Sequence, residues 1–250
     1  MQVLLTNDDG IFEPGLAALR KRAAGLGEVC VVAPSEQQSG ASHSLNLHQP
    51  IQAKEVREDG RLVGHMVRGT PVDCVKLAVG VILPRKPDVL ISGINDRANF
   101  GISVLYSGTV AAAVEGALMG IHSIAISVAE NGEPDLDYAA EVAVRLAREA
   151  TAHPRPRPVL LNVNVPALPR DRVKGVRWIR HNVAPYTERF RHVGRKNDWE
   201  HYEIYGVTGP REQFPGDDVA ALIDGYVTIT PLRVDFTDHD ELAHRNGEAH

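Results

Sequence analysis

The chain has 250 residues, 43% of them hydrophobic and 24% charged, with a formal net charge of −5 when His is neutral. That length and apolar share suffice for a large core in one domain, or in one domain with an appendage. The negative balance argues against nonspecific binding to a nucleic-acid polymer, which relies on Lys and Arg, and 5% aromatics leave little for a single-strand stacking platform.

Residues 2–7 and 28–34 read as short, buried, β-branched strands joined by a helix over about 14–25. Pro14 suits the first turn of that helix, and Gly25 or Gly27 its end. Residues 51–57 and 61–68 pair around Asp59-Gly60 as a hairpin, expected as an insertion lying beside the sheet. Thr70-Pro71-Val72-Asp73 spells a helix start, with Thr70 as cap, Pro71 in the first turn and Asp73 as the reciprocal member of a capping box. A strand over 88–92, a polar loop from Gly93 to Ser107, a helix over 109–119, a strand over 123–128, a helix over 136–150 and a strand over 159–165 follow. This alternation implies a mostly parallel sheet covered on both faces.

From Arg170 the pattern changes to aromatic and charged alternation in VRWIR and HYEIYGV. We expect an α/β core over about 1–169 and a β-rich extension over 170–250 that serves subunit contact, with a returning strand near 225–232. The polar run after Thr237 reads as loose. Cys30 and Cys74 lack a metal-site spacing and read as two buried, reduced thiols. The chain opens directly into a strand, without a basic leader or a long apolar run, so the expected location is cytoplasmic with no membrane partner.

In a parallel sheet the carboxyl ends of the strands share one rim, where ligands bind. Asp8 and Asp9 follow the first strand, Ser39 lies beyond the second, and Asn95 follows the strand ending LISG. Adjacent carboxylates beside a neutral amide oxygen suit mixed oxygen coordination of Mg²⁺ or Mn²⁺. The plainer alternative is that Asp8 and Asp9 cap the helix at Pro14, while Asn95, Asn99 and Ser39 do ordinary turn chemistry. Ser107-Gly108-Thr109 precedes a small-residue helix and offers an anion seat, with Gly108 permitting close backbone approach; a capping role explains Thr109 equally well. His43 is a candidate acid, phosphate contact or surface histidine. G-x-x-x-x-G-K-[ST], G-x-G-x-x-G after the first strand, and G-x-S-x-G are all missing from the sequence.

LLTNDDGIFEPG, VVAPSEQQSGASHSL, VRGTPVDCVKLA, SGINDRANFG, YSGTVAAAVEG and LLNVNVP occur in this order. Together they resemble the SurE family of stationary-phase survival proteins, which are metal-dependent 5′-nucleotidases. The resemblance implies a Rossmann-like three-layer α/β/α sandwich with a C-terminal β-rich extension that supports homodimers or homotetramers. It implies hydrolysis of nucleoside 5′-monophosphates, and in some members 3′-monophosphates and short polyphosphate. It assigns one divalent ion, Mg²⁺ or Mn²⁺, to Asp8, Asp9, Ser39 and Asn95, and phosphate contact to Ser107, Gly108 and Thr109 with Asn99 nearby. Asp8, Asp9 and Asn95 then carry catalysis, with direct attack by water expected over an aspartyl-phosphate route. Arg97 stands where the family pattern has glycine, so it either points to solvent or brings a guanidinium to the phosphate; Ile102 and Ser103 replace an acidic pair. A non-enzymatic nucleotide sensor and a nucleotide-dependent transferase are the alternatives on the same architecture.

Overall fold

The computed structural model describes residues 1–130, 132–185, 187–208 and 216–246. In chain order the strands are β1 (Gln2–Thr6), β2 (Glu28–Pro34), β3 (Gln52–Glu58), β4 (Arg61–Arg68), β5 (Val89–Asn95), β6 (His122–Val128), β7 (Leu160–Val165), β8 (Val176–Trp178), β9 (Thr187–Lys196), β10 (Trp199–Thr208) and β11 (Val227–Pro231). The α-helices are α1 (Pro14–Ala23), α2 (Pro71–Leu77), α3 (Gly108–Leu118), α4 (Leu136–Thr151), α5 (Asp218–Ile223) and α6 (His239–Asn246). Nine strands form one sheet in the order β3-β4-β2-β1-β5-β6-β7-β11-β8, and β9 and β10 form a separate two-stranded ribbon.

The period-2 geometry of a strand sends alternate side chains to opposite faces, and β1 shows how this builds three layers. Val3 and Leu5 join the apolar cluster that contains Leu16 and Leu19 of α1 and Ala143 and Leu146 of α4. Leu4 joins the other cluster, with Cys74 and Val75 of α2 and Val110 and Ala113 of α3. Each fully buried Leu or Ile is worth roughly 1.5–3 kcal/mol of transfer free energy. The strands from β4 through β7 run parallel, which a sheet buried on both faces permits. The fold is therefore the mixed α/β sandwich expected, with a smaller β-rich extension. Among the described residues no helix is long and apolar enough to cross a membrane.

The helix start at Thr70 forms as written in the sequence. Thr70 Oγ1 accepts from Asp73 N at 3.1 Å, and Asp73 Oδ2 accepts from Thr70 N at 2.9 Å. Such a cap contributes about 1 kcal/mol.

Three expectations need correction. The hairpin of residues 51–68 does not lie beside the sheet: β4 pairs in parallel with β2, Val32 opposite His65, and β3 becomes the sheet edge. The alternation hid this because β3 is an edge strand with almost every side chain exposed, whereas β4 buries Gly64 and Val67. The strand expected over 88–92 runs on to Asn95, which pairs with Ser127 of β6. The polar tail is not wholly loose, since α6 forms there with Ala243 buried.

Candidate active site

Beyond β1 the chain turns through Asn7, whose Nδ2 donates to Gly10 O at 2.8 Å and whose Oδ1 accepts from Gly10 N at 3.3 Å. Asn7 thus closes the turn by itself and leaves the two carboxylates free of that task. Neither caps α1, whose N-cap position is Glu13 with no side-chain cap. Asp8 is 5% exposed and Asp9 is half-buried. Thr109 Oγ1 donates a hydrogen bond to Asp8 Oδ1. Only a glycine fits at position 108, because a Cβ there would lie 2.9 Å from Asp8 Cβ. The start of α3 is therefore pressed directly against Asp8.

Burial raises the Asp8 pKa, and the Thr109 hydrogen bonds only partly offset this. Burial, followed by the charges of Asp8 and Asp96, pushes Asp9 up to about 6, with Gln37 donating to its Oδ1 at 3.3 Å. Two carboxylates held together against desolvation and their own repulsion form a site whose electrostatics a cation would satisfy. Among the described residues no three or more His, Cys, Asp and Glu side chains form a cluster that could hold a metal ion by themselves. A cation here would accordingly need neutral oxygens as well, which suits a hard ion such as Mg²⁺ or Mn²⁺.

The sheet order supplies candidates for those oxygens. β1 lies between β2 and β5, so the ends of all three meet at one rim. Asn95 closes β5 and is 8% exposed. Its Nδ2 donates to Arg97 O at 2.5 Å, committing the amide nitrogen, so Oδ1 is the atom this side chain could offer to a cation. Ser39 is exposed in the loop after β2, and that loop is drawn in by Gln38 N donating to Asp8 O at 2.7 Å.

Within Ser107-Gly108-Thr109 the capping role falls to Ser107, whose Oγ accepts from Val110 N at 3.1 Å. Thr109 is fully buried and serves Asp8 instead. Asn99, 8% exposed, is tied into the sheet: its N donates to Asn164 Oδ1 at 2.7 Å, its Nδ2 to Ser127 Oγ at 3.0 Å, and its O accepts from Asn162 Nδ2 at 2.6 Å. Arg97 pairs with Glu130 at 3.2 Å and is 74% exposed, which fits the solvent-facing alternative. Arg97 does not adopt a positive φ, so its backbone does not require glycine. His43 Nε2 sits 2.9 Å from Glu115 Oε2, and Lys76 Nζ lies 2.6 Å from Glu115 Oε1. These contacts hold the 35–50 loop against α2 and α3, together with Ser42 N donating to Tyr106 O at 3.1 Å.

Sequence reasoning missed the residues behind the rim. Asn162 and Asn164 are fully buried in β7, and Asp217 and Asp218 are equally buried near α5. An amide on alternate positions of an apolar strand was the available signal for the first pair.

A three-layer α/β sandwich carrying paired carboxylates at the carboxyl rim, against a helix N-terminus, fits the class of metal-assisted phosphoryl enzymes. Within that class the match is specific: a profile of the family described as Survival protein SurE covers residues 3–188, and the chain belongs to that family. It is 41% identical over 254 residues to the 5′-nucleotidase SurE of Synechococcus elongatus, covering 97% of each chain. The 5′-nucleotidase SurE of Aeromonas hydrophila is 42% identical over 248 residues, covering 97% of this chain and 96% of that one. The crystal structure of SurE protein from Aquifex aeolicus superposes with a TM-score of 0.83 at 35% identity, covering 98% of this chain and all of that one.

Proposed function

We propose that this chain is a divalent-metal-dependent 5′-nucleotidase that converts a nucleoside monophosphate and water to nucleoside and inorganic phosphate. The observation that carries the reading is the Asp8–Asp9 pair at the end of β1, with Asp8 buried against the first turn of α3. Asp8, Asp9, Asn95 and Ser39 would hold the ion, Mg²⁺ or Mn²⁺. When bound, the ion polarises a phosphoryl oxygen and lowers the pKa of water.

The remaining chemistry belongs to the chain's own groups. Thr109 fixes the rotamer of Asp8 by donating to Oδ1, and that bond partly offsets the upward push of burial on the carboxyl. Ser107, Gly108 and Thr109 bring the N-terminus of α3, with its positive dipole end, to the place where phosphate charge must be stabilised. Asn99 acts by holding the loop, since its backbone and amide nitrogen are engaged with β6 and β7. Asp8 serves as a ligand rather than a nucleophile, with water attacking phosphorus directly. The same site would accept 3′-monophosphates and short polyphosphate wherever the terminal phosphoryl group reaches it.

We further assign residues 1–169 to the catalytic core and 170–250 to an extension that mediates homodimers or homotetramers. Phe190, Trp199, Tyr202 and Ile204 of the β9–β10 ribbon are between 61% and 76% exposed, which fits a surface meant for a second copy. Sedimentation of the protein as a monomer at micromolar concentration would contradict that assignment. Two free cysteines, Cys30 and Cys74, fit a reducing, cytoplasmic compartment.

The test is release of inorganic phosphate from AMP with Mn²⁺ or Mg²⁺ and no second substrate. Hydrolysis that stops on chelation is expected. Tight AMP binding with the ester left intact at saturating metal would instead identify a nucleotide sensor.

A further inference from the structure

The loop between Asn95 and Ser107 has two ends in the proposed site, and its central anchor comes from the core sheet. Asn99 supplies that anchor through Ser127, Asn162 and Asn164. Two residues further on, the grip comes from the far end of the chain. Asp218, at the first turn of α5, is fully buried. Its Oδ2 accepts from Gly101 N at 2.9 Å and its Oδ1 accepts from Asn182 N at 2.8 Å. One carboxylate thereby binds two segments that are 117 and 36 residues away from it in sequence.

The neighbouring groups close around this contact. Asn182 Nδ2 donates to Asp217 Oδ2 at 2.6 Å, and Asn182 Oδ1 accepts from Ala184 N at 2.6 Å. Asp217 Oδ1 accepts from Ala220 N at 2.9 Å, so Asp217 caps the helix that presents Asp218. His181 Nδ1 lies 3.3 Å from Gly101 O. Gly101 has φ +54, and a Cβ there would meet Asn182 O at 3.2 Å. The loop thus packs tightly against the 181–184 segment at Gly101.

From Gly101 the path into the site is short. Gly101 opens the 3-10 turn Gly101–Leu105, Ser103 O accepts from Ser107 N at 3.1 Å, and Ser107 caps α3. Two residues later Thr109 holds Asp8.

We propose that Asp218, supported by Asn182 and Asp217, is a positioning residue for the hydrolytic site: it fixes the 99–107 loop and through it the start of α3. This rests on the function proposed above. Residues 180–184 and 217–220 also flank the β9–β10 ribbon on its two sides in sequence. A carboxylate suits the task because it accepts in two directions at once, whereas an amide offers only one oxygen.

The experiment compares the full-length parent, Asp218→Asn and Asn182→Ala. For each it measures kcat and KM for AMP with Mn²⁺, Mn²⁺ affinity, the melting temperature, and amide hydrogen exchange over residues 99–109. Asp218→Asn is expected to lower kcat about 10- to 100-fold at temperatures where it remains folded, because small misplacements remote from the chemistry cost that much. Protection should be lost at Gly101, Ser103 and Ser107 while the amides of β1 and β6 keep theirs. Asn182→Ala should show the same pattern to a smaller degree, and it decides the question alone if Asp218→Asn does not fold. Parent kcat and parent exchange at 99–109 in a folded variant would overturn the proposal. If the parent itself releases no phosphate from AMP, the nucleotidase reading fails, and the exchange data still decide whether Asp218 orders the loop.

Discussion

The rim and the ribbon are built by opposite means. At the rim and along α3 behind it, polar groups are engaged by the chain itself: Asp8 by Thr109, Asn95 by Arg97 O, Asn99 by three residues of β6 and β7, and Glu115 by Lys76 and His43. In the ribbon, β9 and β10 pair with each other around Asn197 and Asp198, both at positive φ, and among the described residues no third strand joins them. Its ion pairs, Arg191–Glu203 among them, are exposed on both partners. A two-stranded hairpin is marginally stable alone, so the ribbon depends on something outside its own pairing, whereas the rim is preorganised before any ligand arrives. The comparison teaches where fixed geometry is needed: hydrolysis at the proposed site demands it, and an exposed ribbon does not.

The strongest way to break this contrast is at the carboxylates. Asp8→Asn or Asp9→Asn should lower turnover by at least about a hundredfold, more than a supporting residue would, while the core stays folded. In the metal-free protein the melting temperature of Asp9→Asn should match or exceed that of the parent, because desolvation and repulsion from Asp8 are relieved. A large loss of metal-free stability would show instead that Asp9 is a packing residue.

The next effect in size is at Thr109. Thr109→Val keeps the shape and leaves Asp8 Oδ1 without its donor, so metal affinity or kcat should fall about 10- to 100-fold. Thr109→Ser should recover most of the loss. Helix capping is not at stake, since Ser107 provides it. Equal kinetics for Thr109→Val and parent would remove Thr109 from the site.

The smallest effect compares charges directly. Burial would push the Glu115 carboxyl up, but hydrogen bonds from Lys76 and His43 outweigh it and hold it below the ordinary value of 4.5. A depressed folded pKa means stability that is fully present above the unfolded value and lost as pH falls through the folded one. Glu115→Gln should therefore flatten the acid limb of a stability-against-pH curve below about pH 4.5. Glu203→Gln in the ribbon should leave that curve unchanged, because an exposed pair contributes only about 0–1 kcal/mol. Matching curves for the two variants would erase the distinction between rim and ribbon.

Much of the sheet was legible because burial imposes a period on the residues. The apolar runs of β1, β2 and β5, and the capping box at Thr70, announce themselves locally. The rim was legible too, because Asp8, Asp9 and Asn95 stand where strands stop. What could not be read depends on contacts between distant segments. Hairpin chemistry at Asp59-Gly60 says nothing about which sheet edge receives β4. The exchange of roles between Ser107 and Thr109 follows from the position of Asp8, about a hundred residues earlier in the chain. Asp218 carries no local mark at all, since its partners Gly101 and Asn182 meet it only in the folded chain. Arg97 was ambiguous until Glu130 appeared beside it.

The central claim is that Asp8 and Asp9 form the cation seat on which phosphate release depends. The most direct measurement is a Mn²⁺ titration of the metal-free parent, Asp8→Asn and Asp9→Asn, with bound Mn²⁺ and phosphate release from AMP read on the same samples. The account predicts that release by the parent rises in step with Mn²⁺ bound at one site per chain, and that both variants lose binding and release together while melting as folded proteins. Mn²⁺ binding and turnover equal to the parent in both variants would contradict it.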